Sequence, residues 1–269
     1  MNKNLFFKEI KRNAFSLIMW MIVICILIFF TMSFYRTFIK NQQQIIGMMG
    51  IMPSGMLKFR GITNFSDLFS ILGFYAANNT IYMMLLGSVY AIVLSSNILL
   101  KEEYHKTAEF LLSKPITRGE VFLTKWAILT MNIILLNLVA DLVGLISIEV
   151  FKTGSYSIKS YILLSFDTFL LNFLFGSIGL FISTLIKRPK PITTFSIGIV
   201  LILYFLFNIS RITPNAEKFG YLSPFKYIDT NVLAPGYGID IWHMFYFISG
   251  TLVLTVISYQ IYRRKDIFT

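Results

Sequence analysis

Six apolar runs, each long enough to cross a bilayer, decide what this chain can fold into. They are Ala14–Tyr35, Asn78–Leu100, Trp126–Glu149, Ser160–Ile186, Pro191–Ile209 and Trp242–Tyr262. At about 1.5 Å of rise per residue, roughly 20 helical residues cover a hydrocarbon core about 30 Å thick. Backbone polar groups find no water there, so only helices and closed barrels cross it. Barrel strands alternate apolar and polar positions; these runs are apolar throughout. The fold class is therefore an all-α integral membrane protein with six transmembrane helices. Of 269 residues, 56% are hydrophobic and 14% charged, against roughly 25% charged in soluble domains. Too few polar residues remain to coat a water-soluble globule. Soluble enzymes, disulfide scaffolds and disordered tails are excluded, and residues 1–269 read as a single transmembrane domain without a nucleotide-binding domain. The first run has no small-residue cleavage site after it and reads as a retained helix. Residues Gly61–Ala77 either lengthen the second span or add an interfacial helix. The lone Cys25 leaves no intramolecular disulfide.

Charge sets the orientation. The N-terminus, residues 101–125, the Lys187-Arg188-Pro189-Lys190 turn and the tail with Arg263-Arg264-Lys265 hold 15 of the 24 basic residues. Their density is about three times that of the opposite loops, which places both termini in the cytoplasm. Arg36, Lys40, Lys58 and Arg60 run against the trend without reversing it. A net charge of +11 points to anionic lipid rather than nucleic acid, because the basic residues flank apolar runs instead of forming one stripe.

Residues 101–125 read KEEYHKTAEFLLSKPITRGEVFLTK. Tyr104, Ala108, Leu111 and Leu112 share one helical face, with Glu102, Lys106 and Glu109 elsewhere, which predicts a short amphipathic helix. Pro115 ends it, and Thr117-x-x-Glu120 offers a capping box for the third span. Spacing alone leaves two readings: an interfacial helix on the bilayer surface, or a handle for a partner.

The segment resembles the stretch after the second helix of ABC-2-type permeases, the membrane subunits of one class of ABC exporters. In that family an acid precedes Gly-Thr-x-Glu, then Leu-Leu, a small residue, x-Pro, a Ser/Thr-Arg pair and a Lys at the next helix. Here Glu102 or Glu103 supplies the acid. Thr107, Glu109, Leu111, Leu112, Ser113, Pro115, Thr117, Arg118 and Lys125 follow; Lys106 and Thr124 stand where Gly is usual. Asn4–Asn13 resembles the family's amphipathic elbow helix, with Phe6, Ile10 and Ala14 on one side. Tyr221-Leu222-Ser223-Pro224-Phe225 resembles its Ser-Pro-Phe element. The resemblance implies that 101–120 is a coupling helix docking on a cytosolic ABC ATPase subunit, and that the permease pairs as a homodimer or heterodimer. It also implies export across a bacterial cytoplasmic membrane, with ATP and Mg bound by the partner and none by this chain. No Gly-x-x-x-x-Gly-Lys-Ser/Thr occurs in the sequence, so phosphate cradling of the P-loop kind is absent, and the chain reads as a non-enzyme.

Asp141 and Asp167 are the acids well inside spans, where an ionised carboxylate is costly. Thr130, Asn137, Asp141 and Gly144 make one polar, small-residue stripe on the third span. Two readings stand for it: a substrate path or subunit interface, and ordinary helix packing. Thr168, Asn172, Gly176, Gly179 and Ser183 make another on the fourth span. Asp167 points away from that stripe and reads as snorkelling or structural. Met48, Met49, Met52 and Met56 read as packing rather than a Cu(I) site. His105 and His243 lack ligand-spaced neighbours, and Trp20, Trp126 and Trp242 fit aromatic anchoring.

Rival classes fare worse. Glu102-Glu103 superficially matches the Glu-Glu-x-x-x-Arg of a membrane protease family, but Thr107 stands at the Arg position and spans two to five contain no His. An ATPase-independent secondary transporter calls for internal symmetry and Gly/Pro-broken helices; neither is evident. A non-transporting membrane partner subunit has little need for the 101–120 motif.

Overall fold

The computed structural model describes residues 3–49, 65–100, 116–186 and 192–265. The chain runs through α1 (Lys3–Ser33), α2 (Tyr35–Lys40), α3 (Gln42–Met49), α4 (Ile71–Asn79), α5 (Ser88–Ile98), α6 (Arg118–Phe151), α7 (Ile158–Leu185), α8 (Thr193–Ile212) and α9 (Ile241–Arg264). A π-helical stretch, Thr80–Gly87, joins α4 to α5. No strand occurs among the described residues. Six helical stretches are long and apolar enough to span a membrane: Leu5–Lys40, Ile71–Ile98, Arg118–Phe151, Ile158–Leu185, Thr193–Ile212 and Ile241–Arg264.

Capping, more than hydropathy, sets where these helices begin. The third span starts at Arg118, eight residues before the apolar run. There the Thr117 hydroxyl accepts from the Glu120 N–H (3.2 Å) and the Glu120 carboxylate accepts from the Thr117 N–H (3.1 Å). Two otherwise orphaned donors are satisfied reciprocally. The second span starts at Ile71, with the Gly73 N–H donating to Ser70 Oγ (3.0 Å), so the residues from Ile71 onward lengthen that span.

The expected elbow at Asn4–Asn13 is not a separate element, since α1 runs unbroken from Lys3. Its most buried residues are Leu5, Glu9, Asn13 and Leu17, four residues apart, with Phe6 and Ile10 partly buried against the core beside them. Polar residues tolerate that burial because they are paired. Glu9 forms an ion pair with Arg12 (2.6 Å), and Asn13 Nδ2 donates to the Glu9 carbonyl (3.0 Å).

Apolar character does not sort inside from outside in this bundle. Phe15, Ile18, Ile22 and Ile26 on α1 and Phe245, Leu252 and Val256 on α9 are exposed, as lipid-facing residues are. Small and polar residues mark the interior instead. α7 lies at the centre, packed on α5 and α9, with Asn172 and Ser183 fully buried. At Gly179 a Cβ would lie 2.0 Å from Ser95 Oγ and 2.6 Å from the Ile92 carbonyl oxygen. Only glycine permits that approach of α5 to α7. After α8 the Ser-Pro-Phe element folds back into the bundle. Ser223 Oγ donates to the Leu203 carbonyl (2.7 Å), and Phe225 packs against Phe175, Tyr204 and Phe207.

Candidate functional site

Among the described residues, three polar places bear on the residues singled out from the sequence. The first is the end where α5 stops and α6 starts. Lys125 lies about two turns into α6 on a face shared with Val121, Phe122 and Ile128, all buried, and is itself 0% exposed. Its ammonium donates to the Ile98 carbonyl in the last turn of α5. A cation at a helix C-terminus meets both an unsatisfied carbonyl and the negative end of the helix dipole. Arg118 donates to the Lys265 carbonyl just beyond α9, and Phe122 packs on Tyr259 and Tyr262 (5.5 and 5.9 Å between centroids). The start of α6 is thus fastened to the end of the second span and to the end of the sixth. Arg118, read from sequence as part of a docking motif, is engaged within the bundle. Glu102, Glu103, Thr107, Glu109, Leu111, Leu112, Pro115 and His105 lie outside the described residues, as do Met52 and Met56.

The second place is mid-membrane. Asn172 Nδ2 donates to Asn137 Oδ1 (3.1 Å), Ser88 Oγ donates to Asn172 Oδ1 (3.2 Å), and Asn79 Nδ2 donates to Thr168 Oγ1 (3.1 Å). Asn79 and Ser88 are nine residues apart, two and a half α-helical turns, which would set them on opposite faces. The wider i→i+5 turn of a π-helix takes more residues per turn, so both face α7. Gly87 makes room, since a Cβ there would lie 2.7 Å from Asn172 Nδ2. Sequence reading missed this winding, and the second span is less regular than its composition suggests. Asn137 thus ties the third span to the fourth. Replacing Asn172 with leucine keeps the branched shape but strands Ser88 and Asn137. At ~0.6 kcal/mol per intramembrane side-chain bond, and up to ~1.7, thermal unfolding in detergent is expected several degrees lower.

The third place holds the two acids, in different surroundings. Asp141 is half-buried at a groove between α6 and α7. Beside it Gly144 is buried, with the Tyr75 and Tyr161 hydroxyls 2.7 and 2.6 Å from where a Cβ would sit. Tyr161 donates to the Asp141 carbonyl (2.5 Å). The stripe from Thr130 to Gly144 is thus not one lining: Gly144 turns into the bundle, Asp141 borders the groove, and Asn137 both meets Asn172 and lines the groove. Asp167 does not snorkel. It is 3% exposed, with Oδ1 lacking a hydrogen-bond partner. α7 packs on α5, α6 and α9, and the segment carrying Asp229 and Tyr237 lies within electrostatic reach of Asp167. Burial and these two carboxylates push the Tyr237 phenol well above its ordinary value. Trp20, expected as an anchor, instead packs against Tyr90 (5.8 Å), and His243 stands edge-on to Tyr227 (5.3 Å).

Residues 3–267 match the family described as ABC-2 family transporter protein. The chain belongs to the ABC-2 family. Membership implies an ABC transporter permease: a membrane-embedded, non-catalytic subunit served by a partner ATPase. No curated protein matches the sequence. In this ABC-2 protein the match runs through all six spans, so the fastened α5–α6 end and the Ser-Pro-Phe return belong to the family domain itself.

Proposed function

We propose that this protein is the permease subunit of an ATP-driven exporter in the bacterial cytoplasmic membrane. Both termini and residues 101–125 face the cytoplasm, and 101–120 form the coupling helix for a separate ATPase. The transporting unit holds two permease chains, identical or sibling. ATP and Mg reside in the ATPase partner, and this chain contributes no nucleotide site.

The observation that carries the reading is the buried Lys125–Ile98 tie. It joins the two helix ends that flank the motif-bearing segment, so a force applied to that segment moves the second and third spans together. Arg118 and Phe122 extend the same unit to the sixth span. A packed unit with discrete arrangements can convert closure of an ATPase pair into rotation of spans. The orientation is supported by what several basic residues in the opposite loops do. Arg36 donates to the Val150 carbonyl (2.7 Å) at the end of α6, Arg211 to Thr230 Oγ1 (3.3 Å), and Lys152 pairs with Glu149 (2.5 Å). These cations have structural work, which accounts for their presence against the charge bias.

Affinity purification of the tagged protein from its native membrane tests the reading. A stoichiometric P-loop ATPase is expected to co-purify. Glu103→Lys combined with Glu109→Lys is expected to release it while the permease still inserts. Retention of the ATPase by the double variant would remove the coupling role of the segment.

A further inference from the structure

The groove between α6 and α7 has a volume of about 290 Å³ and is lined by Leu138, Asp141, Ile162, Ser165, Phe166 and their neighbours. Leu138, Ile162 and Phe166 are 54%, 58% and 44% exposed, so it opens sideways, toward lipid in a membrane. Toward the bundle from Asp141 lie Tyr161, which donates to the Asp141 carbonyl, and Tyr75, tilted against Tyr161 at 5.2 Å. Asp141 is the charged residue of the lining, which contains no Lys, Arg or His. Ser165 Oγ, buried beside the carboxylate, has no hydrogen-bond partner of normal geometry. An acid within a span ordinarily pairs with another protein group. Here the described residues offer Asp141 no cation.

We infer that this groove takes a membrane-dissolved hydrophobic cation, its positive head on Asp141 and Ser165 and its apolar body against Leu138, Ile162 and Phe166. Charge complementarity selects the occupant. A neutral lipid tail fills the apolar walls but leaves the carboxylate uncompensated, and an anionic head adds a like charge in a medium that screens poorly. Entry is lateral, from the bilayer, because the exposed side of the groove is the apolar one. As a cargo site this rests on the permease reading; as a binding site it does not.

The test is equilibrium binding of radiolabelled tetraphenylphosphonium to the full chain in lipid nanodiscs, without nucleotide. Saturable binding is expected, with no displacement by triphenylphosphine oxide, an uncharged analogue. Asp141→Asn is expected to weaken it at least tenfold, whereas Asp67→Asn, an acid outside the groove, leaves it unchanged. Leu138→Trp, which fills the groove and keeps the carboxylate, is expected to weaken it as well. Equal binding by wild type and Asp141→Asn, or displacement by the uncharged analogue, would overturn the inference. Binding is read without ATP, so its failure leaves the permease reading standing, and a missing ATPase leaves the binding site standing.

Discussion

Lys125→Met is expected to cut ATP-driven transport by at least about tenfold while the protein still inserts and holds its ATPase. Methionine matches the length of the lysine stem, so the packing around Val121, Phe122 and Ile128 survives. What disappears is the charged donor on the Ile98 carbonyl. A hydrogen bond to a charged group contributes roughly 1.5–3 kcal/mol, and about 1.4 kcal/mol is tenfold in a rate or an equilibrium. With the tie gone, the ends of α5 and α6 respond separately to the coupling segment, and ATP turnover no longer moves both spans. Lys125→Arg is not expected to rescue transport, because a guanidinium does not fit a fully buried ammonium slot. The measurement is the ratio of cargo moved to ATP hydrolysed in proteoliposomes. An unchanged ratio in Lys125→Met would remove the tie from the mechanism.

Gly179→Leu is expected to be the most damaging single change to the fold. The added Cβ meets Ser95 Oγ at 2.0 Å and the Ile92 carbonyl at 2.6 Å. A backbone atom cannot step aside as a side chain can. Overpacking commonly costs about 1–3 kcal/mol, and a collision with helix backbone lies at or beyond the upper end. For a chain of this size that corresponds to a Tm lower by about 6–12 °C, or to no folded peak on size exclusion. Gly198→Leu serves as the comparison. Nothing lies within 4 Å of a Cβ at Gly198, and its Tm is expected within ~2 °C of wild type. Similar Tm values for the two variants would contradict the close α5–α7 contact.

The number and type of spans were legible because length and hydropathy answer to bilayer thickness alone. The capping box at Thr117 and Glu120 was legible for a similar reason, since it is local chemistry. What could not be read was which face of each helix turns inward. In water the apolar face goes inside, but lipid rewards apolar residues on both faces, so Phe6 and Ile10, partly buried beside the core, do not by themselves mark the most buried line of α1. There Leu5, Glu9 and Asn13 face inward because they find partners. The π-helical stretch escaped for a tertiary reason: Asn79 and Ser88 must both reach α7, a requirement visible only once α7 is in place. Depth along its own helix leaves Asp167 either snorkelling or structural; its burial, with the segment bearing Asp229 and Tyr237 nearby, leaves the structural reading. Lys125 did carry a signal. A lysine aligned with Val121, Phe122 and Ile128 on one helical face is a cation in an apolar row, and such a residue ordinarily has a specific acceptor.

On the proposed function, an ATPase engages the 101–120 segment on one side of the membrane and drives the bundle through it. A photo-crosslinking amino acid at position 109, compared with one at the exposed Leu222 of the α8–α9 loop, tests this most directly in intact cells. Irradiation is expected to link position 109 to a P-loop ATPase identified by mass spectrometry, with no such product from position 222. Capture of the ATPase from position 222 and not from 109 would contradict the orientation and the coupling role together.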